Sequence, residues 1–139
     1  MVFFPSMEIT HINPDALPRN PAFSQAVLVA GGGKTLYIGG QNGYRRDGTL
    51  AGPDLGAQTA QAYRNILAIL ESVGAAQKNV VKLTIYLAKG QSIQEGFGAA
   101  MEVWGPNNPT AISVVFVDGL GAPGAGVLVE IDGIAVLDS

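Results

Sequence analysis

The C-terminal stretch Val127-Leu-Val-Glu-Ile-Asp-Gly-Ile-Ala-Val136 constrains this chain more than any other segment. Its density of β-branched residues reads as a strand, and a single carboxylate, Glu130, breaks the apolar run. Side chains alternate along a strand, so Glu130 shares a face with Leu128 and Asp132. Burying a charge is expensive. On a central strand such a carboxylate pairs with a cation, faces water in a cleft or serves acid–base chemistry; on an outer face it is simply solvated. A second strand, about residues 111–117, follows Pro109 and is joined to the first by glycine-rich residues 118–126.

The remaining segments complete an α+β order. Residues 7–12 alternate as an edge strand does. Residues 26–30, Gly31-Gly-Gly-Lys34 and residues 35–39 read as strand, turn, strand, hence a hairpin. A polar loop, residues 41–53, turns at Asp47-Gly48. Asp54 then caps a helix reaching about Val73, with a stripe of Leu55, Thr59, Ala62, Ile66, Ile69 and Val73, and Gly74 closes it. Residues 80–88 form a half-exposed strand, with Val81, Leu83, Ile85 and Leu87 on one face and Lys82, Thr84 and Tyr86 on the other. Ser92-Ile-Gln-Glu95 fits a capping box for a second helix that ends near Trp104, before Gly105-Pro106. The expected architecture is β-β-β-α-β-α-β-β, a mixed sheet with two helices on one face. One domain is expected over residues 7–137, with residues 1–6 an N-terminal extension.

Several function classes drop out on composition. The chain has 139 residues and no cysteine, which removes thiol catalysis, disulfides and cysteine-ligated zinc. His11 is the only histidine, so one chain cannot build a His-pair metal site, and no metal is expected. A net charge of −3 makes nucleic acid an unfavourable partner. No stretch approaches the roughly 18 apolar residues of a membrane span, and the N-terminus lacks the positive flank and length of a signal peptide, so no membrane partner is expected; the absence of cysteine fits a cytoplasmic protein. Only 14% of residues are charged against 47% hydrophobic, which suggests surface hidden in an oligomer.

The individual motifs divide into bland and informative. Gly31-Gly-Gly-Lys-Thr35 has the ending of a phosphate-binding loop, but Leu28 stands where the full pattern needs glycine, and the segment leads into a strand. His11 reads as a surface or satisfied residue, and Glu71, Glu95 and Glu102 as solvated helix faces or caps. Trp104, at a helix end, packs helix on sheet or walls a pocket. Glu130 remains the candidate for chemistry.

Taken in order, Ala22-Phe-Ser-Gln25, Gly39-Gly-Gln41, Asp54-Leu-Gly-Ala-Gln58, Val80-Val-Lys-Leu-Thr84 and Val129-Glu-Ile-Asp-Gly-Ile-Ala-Val136 resemble the RidA/YjgF family of reactive-intermediate deaminases, over residues 7–137. The resemblance implies a chorismate-mutase-like fold, a homotrimer with clefts between subunits, and cofactor-free hydrolysis of imines and enamines to a keto compound and ammonia. It places the family's water-activating glutamate on Glu130 and its aromatic wall on Phe23, often tyrosine in the family. The serine of Ser-Gly-Gln falls on Gly39, next to Gln41. The second-helix asparagine falls near Met101, and the small residue two after the arginine falls on Ser113.

The family's substrate-gripping arginine falls on Ala111. That departure makes the expected inter-subunit pocket more apolar, with Phe23, Met101 and Trp104 as walls, Glu130 as base and Ser113 as hydrogen-bond donor. The expected ligand is a small, uncharged, imine-like or otherwise activated molecule. Arg45 or Arg46, with Tyr44, is the alternative anchor, since their loop borders the cleft in the family. A non-catalytic small-molecule-binding trimer and a protein-interaction or chaperone-like role are the competing expectations. RNA cleavage, reported for some family members, fits poorly with the acidic balance and lone histidine.

Overall fold

The computed structural model describes residues 7–105 and 109–138; residues 1–6 and Pro106 lie outside them. Its elements are β1 (Glu8–Ile12), β2 (Ala26–Ala30), β3 (Lys34–Gln41), α1 (Leu55–Ser72), a short 3-10 turn (Gln77–Asn79), β4 (Val80–Ala88), α2 (Ile93–Trp104), β5 (Ala111–Val117) and β6 (Val129–Leu137). Four strands form a mixed sheet in the order β3-β6-β4-β5. β6 runs antiparallel to both β3 and β4, and β4 runs parallel to β5. Parallel neighbours need a crossover, which α2 supplies. Both helices lie on one face of this sheet, the α+β arrangement expected.

The hairpin does not form. β2 pairs with β1 as a separate antiparallel ribbon (Ile9 opposite Val29), while β3 pairs with β6 (Tyr37 opposite Ile134). The glycines between them act as a swivel between two sheets rather than as a hairpin tip. Gly31 has φ of 96°, and Gly33 lies against the Leu137 carbonyl, where a Cβ would collide. The ribbon is tied to the main sheet at Ser24. Its amide donates to the Thr110 carbonyl (2.9 Å) and its hydroxyl to the Pro109 carbonyl (2.5 Å). The Ser24 oxygen therefore accepts from His11 Nδ1 at 3.0 Å, and the lone histidine is a structural fastener.

The core packs α1 on the sheet through Ala62, Tyr63, Ile66 and Leu70 against Leu83, Leu87, Val129, Ile131 and Ala135. Leu70, not Val73, ends the buried stripe: Val73 is 47% exposed, because the real stripe drifts around the helix by the last turn. A register shift between Val80 and Lys82 likewise buries Val80 in place of Val81, the usual consequence of a bulge. Asp54 caps α1 as expected, accepting from Ala57 N at 3.0 Å. The second capping box is half made. Ser92 accepts from Glu95 N, but the Glu95 carboxylate reaches Gly56 N at the start of α1 instead. Gln58, fully buried, donates to the Gly52 and Gly126 carbonyls and accepts from Leu128 N, all at 2.9 Å, fastening two loops to α1.

Candidate active site

Strand alternation and register sort the candidates by face. On the side away from the helices, Lys82 pairs with Ala111, Thr84 with Ser113 and Tyr86 with Val115; Tyr86 also pairs with Glu130, and Thr84 with Asp132. Glu130, Ser113 and Ala111 therefore share one open face.

Glu130 is half-buried and held. Its Oε1 accepts from Asn42 Nδ2 at 3.1 Å, and the same amide reaches the Val129 carbonyl at 3.3 Å. Asn65 of α1 positions this loop by donating to the Asn42 and Tyr44 carbonyls, at 3.1 and 2.9 Å. The carboxylate lies on Gly40, where a Cβ would stand 2.6 Å from Glu130 Cδ and Oε2. Gly39, by contrast, has open space where a side chain would begin. Glycine at the second position of Gly39-Gly-Gln41 thus lets Glu130 keep this placement, whereas the first position has room for a side chain. Gln41 turns its amide onto the Gly39 carbonyl at 3.2 Å.

Beside Ala111 stands a cation that sequence reasoning did not single out. Lys82 Nζ donates to Ser113 Oγ at 2.6 Å. Because the ammonium only donates, Ser113 keeps its own O–H as a donor. Alternation placed Lys82 on this face, but only the β4–β5 register sets it opposite Ala111. Tyr86 completes the patch. The negative charge of Asp132, followed by desolvation and a hydrogen bond to Asp132, holds its phenol above the ordinary tyrosine range, so it stays protonated.

The other expected anchors lie elsewhere. The Arg45 guanidinium is folded onto its own loop, donating to the Leu50 and Ala51 carbonyls at 3.1 and 2.9 Å. Arg46 sits exposed on the same loop, beside Asp47, whose carboxyl is lowered chiefly by the Thr49 hydroxyl and amide. Tyr44 is fixed through its backbone, by Asn65 and by a bridge to Leu50. Phe23, Met101 and Trp104 are not walls of the Glu130 face within one chain. They line a cavity of about 650 Å³ on the helix side, between α2 and strands β4 and β5. Trp104 packs edge-on against Tyr63, with ring centres 5.1 Å apart. Among the described residues, no three His, Asp or Glu side chains are grouped to hold a metal ion, and no helix is long and apolar enough to cross a membrane.

Comparison with known proteins gives a consistent picture. The family model described as endoribonuclease L-PSP matches residues 14–137. A RutC family protein of Pyrococcus abyssi is 31% identical over 93 residues, covering 66% of this chain and 71% of that protein. YyfB of Yersinia pestis, a Rid family protein of unknown function, superposes with a TM-score of 0.82 at 33% identity, covering 93% of this chain and 98% of that one. A Mycobacterium tuberculosis member of the YjgF/YER057c/UK114 family gives a TM-score of 0.63 at 31% identity, over 82% and 86% of the two chains.

Proposed function

Because this chain belongs to the endoribonuclease L-PSP family, the group also called RidA, RutC and YjgF, we propose that it hydrolyses a small imine- or enamine-like substrate without a cofactor. The observation that carries this reading is Glu130, a carboxylate held by the Asn42 amide over Gly40 on the same sheet face as Ser113. Glu130 takes a proton from water as the oxygen attacks the C=N carbon. Glu130 returns this proton to nitrogen, giving an amino alcohol, and then relays the hydroxyl proton to the amine as the C–N bond breaks and the C=O bond forms. Ammonia leaves, and a carbonyl compound remains. One water is consumed per C=N bond cleaved.

With alanine at position 111, Lys82 takes the place of a guanidinium. Its ammonium, steadied by Ser113, receives the polar end of the substrate. The apolar walls come from a second copy docked on this face, in a homotrimer. Exposed apolar side chains support such assembly: Leu28 and Val29 on β2, Tyr37 on β3, and Val115 on β5.

The test is ammonia release from freshly generated imines, with and without a carboxylate, by the intact chain and by Glu130→Gln of unchanged assembly state. Loss of turnover in the variant is expected; unchanged turnover would remove Glu130 from the chemistry. A non-catalytic binder is the second reading, favoured by the absence of a guanidinium at Ala111 and the self-bonded Arg45. It predicts that a ligand is recovered chemically unaltered. RNA cleavage gains no support, since His11 is committed to Ser24 and the chain is acidic.

A further inference from the structure

The helix side of the sheet carries a feature that the Glu130 face does not use. The cavity of about 650 Å³ there is lined mainly by aromatic and aliphatic side chains, and among the described residues no Asp, Glu, Lys, Arg or His borders it. The Tyr63 phenol and the Asn20 amide do, and so do the hydroxyls of Thr59 from α1 and Thr110 just before β5, residues only 3% and 4% exposed. Neither Oγ1 has a hydrogen-bond partner among the described residues. A desolvated, unpaired hydroxyl opposes folding, and buried polar groups are paired in the great majority of cases. Two such groups on one apolar cavity are an unusual expense, and a bound ligand accounts for both.

We infer that this cavity is a second binding site, for a neutral, largely apolar small molecule whose hydroxyl, carbonyl or amine group pairs with Thr59 and Thr110. The volume falls in the roughly 300–1,000 Å³ range of small-molecule sites. The uncharged lining selects a neutral ligand, because nothing there compensates a buried charge. Ile93, Phe97 and Met101, which also line the cavity, remain between 37% and 47% exposed, so its mouth runs along α2 and an occupant covers apolar surface. Within one chain Glu130 and Ser113 lie on the opposite face of the sheet, so the cavity is distinct from the face that carries them.

Trp104, the single tryptophan of the chain, lines this cavity and reports on it. The intact protein is titrated with the neutral fluorophore N-phenyl-1-naphthylamine and with its anionic sulfonated analogue, following energy transfer from Trp104. We expect saturable quenching at one probe per chain, with the sulfonate bound at least roughly tenfold more weakly. The paired variant Thr59→Val, Thr110→Val should weaken the neutral probe by roughly five- to thirtyfold while leaving the circular dichroism unchanged. Ala100→Phe, which fills the cavity, should abolish binding, and Glu130→Gln should leave it intact. No saturable transfer, equal binding of the sulfonate, an unaffected double-threonine variant or undiminished binding in Ala100→Phe would each overturn the assignment. Loss in Glu130→Gln would merge this site with the hydrolytic one and overturn it equally.

Discussion

Lys82 Nζ stands 2.6 Å from Ser113 Oγ, at the strand position that pairs with Ala111. A cation therefore borders the open sheet face although the residue at position 111 carries none. Its location rests on parallel pairing between two strands separated in sequence by a helix.

Lys82→Met tests what that charge does. A charge-assisted hydrogen bond contributes about 1.5–3 kcal/mol, or roughly 10- to 150-fold in an equilibrium constant. For imines carrying a carboxylate, kcat/KM should fall by about that factor. Neutral imines should change by about twofold or less. An equal loss on both would assign Lys82 a structural role instead. Ala111→Arg in the same assay should raise the preference for carboxylate-bearing substrates.

Gly40 and Gly39 make a sharper pair. Gly40→Ala puts a methyl group 2.6 Å from the Glu130 carboxyl, whose flexible side chain must swing away and lose Asn42. Thermal stability should fall by about 1 kcal/mol or less, since the far end of a side chain yields readily, while turnover should drop at least about tenfold. Gly39→Ser meets open space and should preserve both. Parallel unfolding and ammonia-release measurements decide it, and equal losses in the two variants would contradict the geometry.

Much of this architecture was legible in the sequence because it is written in local signals. Asp54 at the start of α1, Gly74 after its end and the alternation of Lys82, Thr84 and Tyr86 each act within a turn or two of the chain. Pairing between distant segments is not written that way. Gly31-Gly-Gly-Lys34 looks the same whether it turns a hairpin or swivels the chain from one sheet to another, and here it swivels. The same limit hid the partnership of Lys82 with Ala111. It also hid the separation of Phe23, Met101 and Trp104 from Glu130, since only the packing of α2 and of the segment before β2 against the sheet puts them on the other side from that carboxylate. Glu130 itself was legible, because a carboxylate in an apolar strand is anomalous wherever that strand lies.

Gln58 is fully buried and makes three hydrogen bonds to backbone groups of two loops. Gln58→Leu keeps the volume but leaves two carbonyls and one amide unpaired. The expected cost is roughly 2–4 kcal/mol, read as a lower urea midpoint at an unchanged m-value. A loss below about 0.5 kcal/mol would mean that the loops find other partners.

Tyr63 gives the molecule an alkaline limit. Burial raises its phenol from 10.0 to about 12. A raised folded-state pKa means that the folded protein holds this proton more tightly than the unfolded chain does. The stabilisation is fully present below pH 10 and is lost as pH rises toward 12, up to about 3 kcal/mol in total. Stability measured across that window should fall for the intact chain and fall less for Tyr63→Phe. Identical slopes would show that other groups set the alkaline limit.

The unpaired threonines carry the last prediction, because they separate stability from binding. Valine matches threonine in shape and replaces a desolvated hydroxyl with a methyl group, and the two residues have similar helix propensity. In the ligand-free protein, Thr59→Val should therefore raise the unfolding free energy by about 0.5–1.5 kcal/mol, and Thr110→Val should do likewise. Adding N-phenyl-1-naphthylamine should reverse the order, since a bound ligand stabilises only the form that binds it well. A hydroxyl serving the fold alone would show the opposite pattern, with valine destabilising at every probe concentration. The crossing of the two stability curves is thus specific to a protein that gives up some stability to hold a ligand behind its sheet.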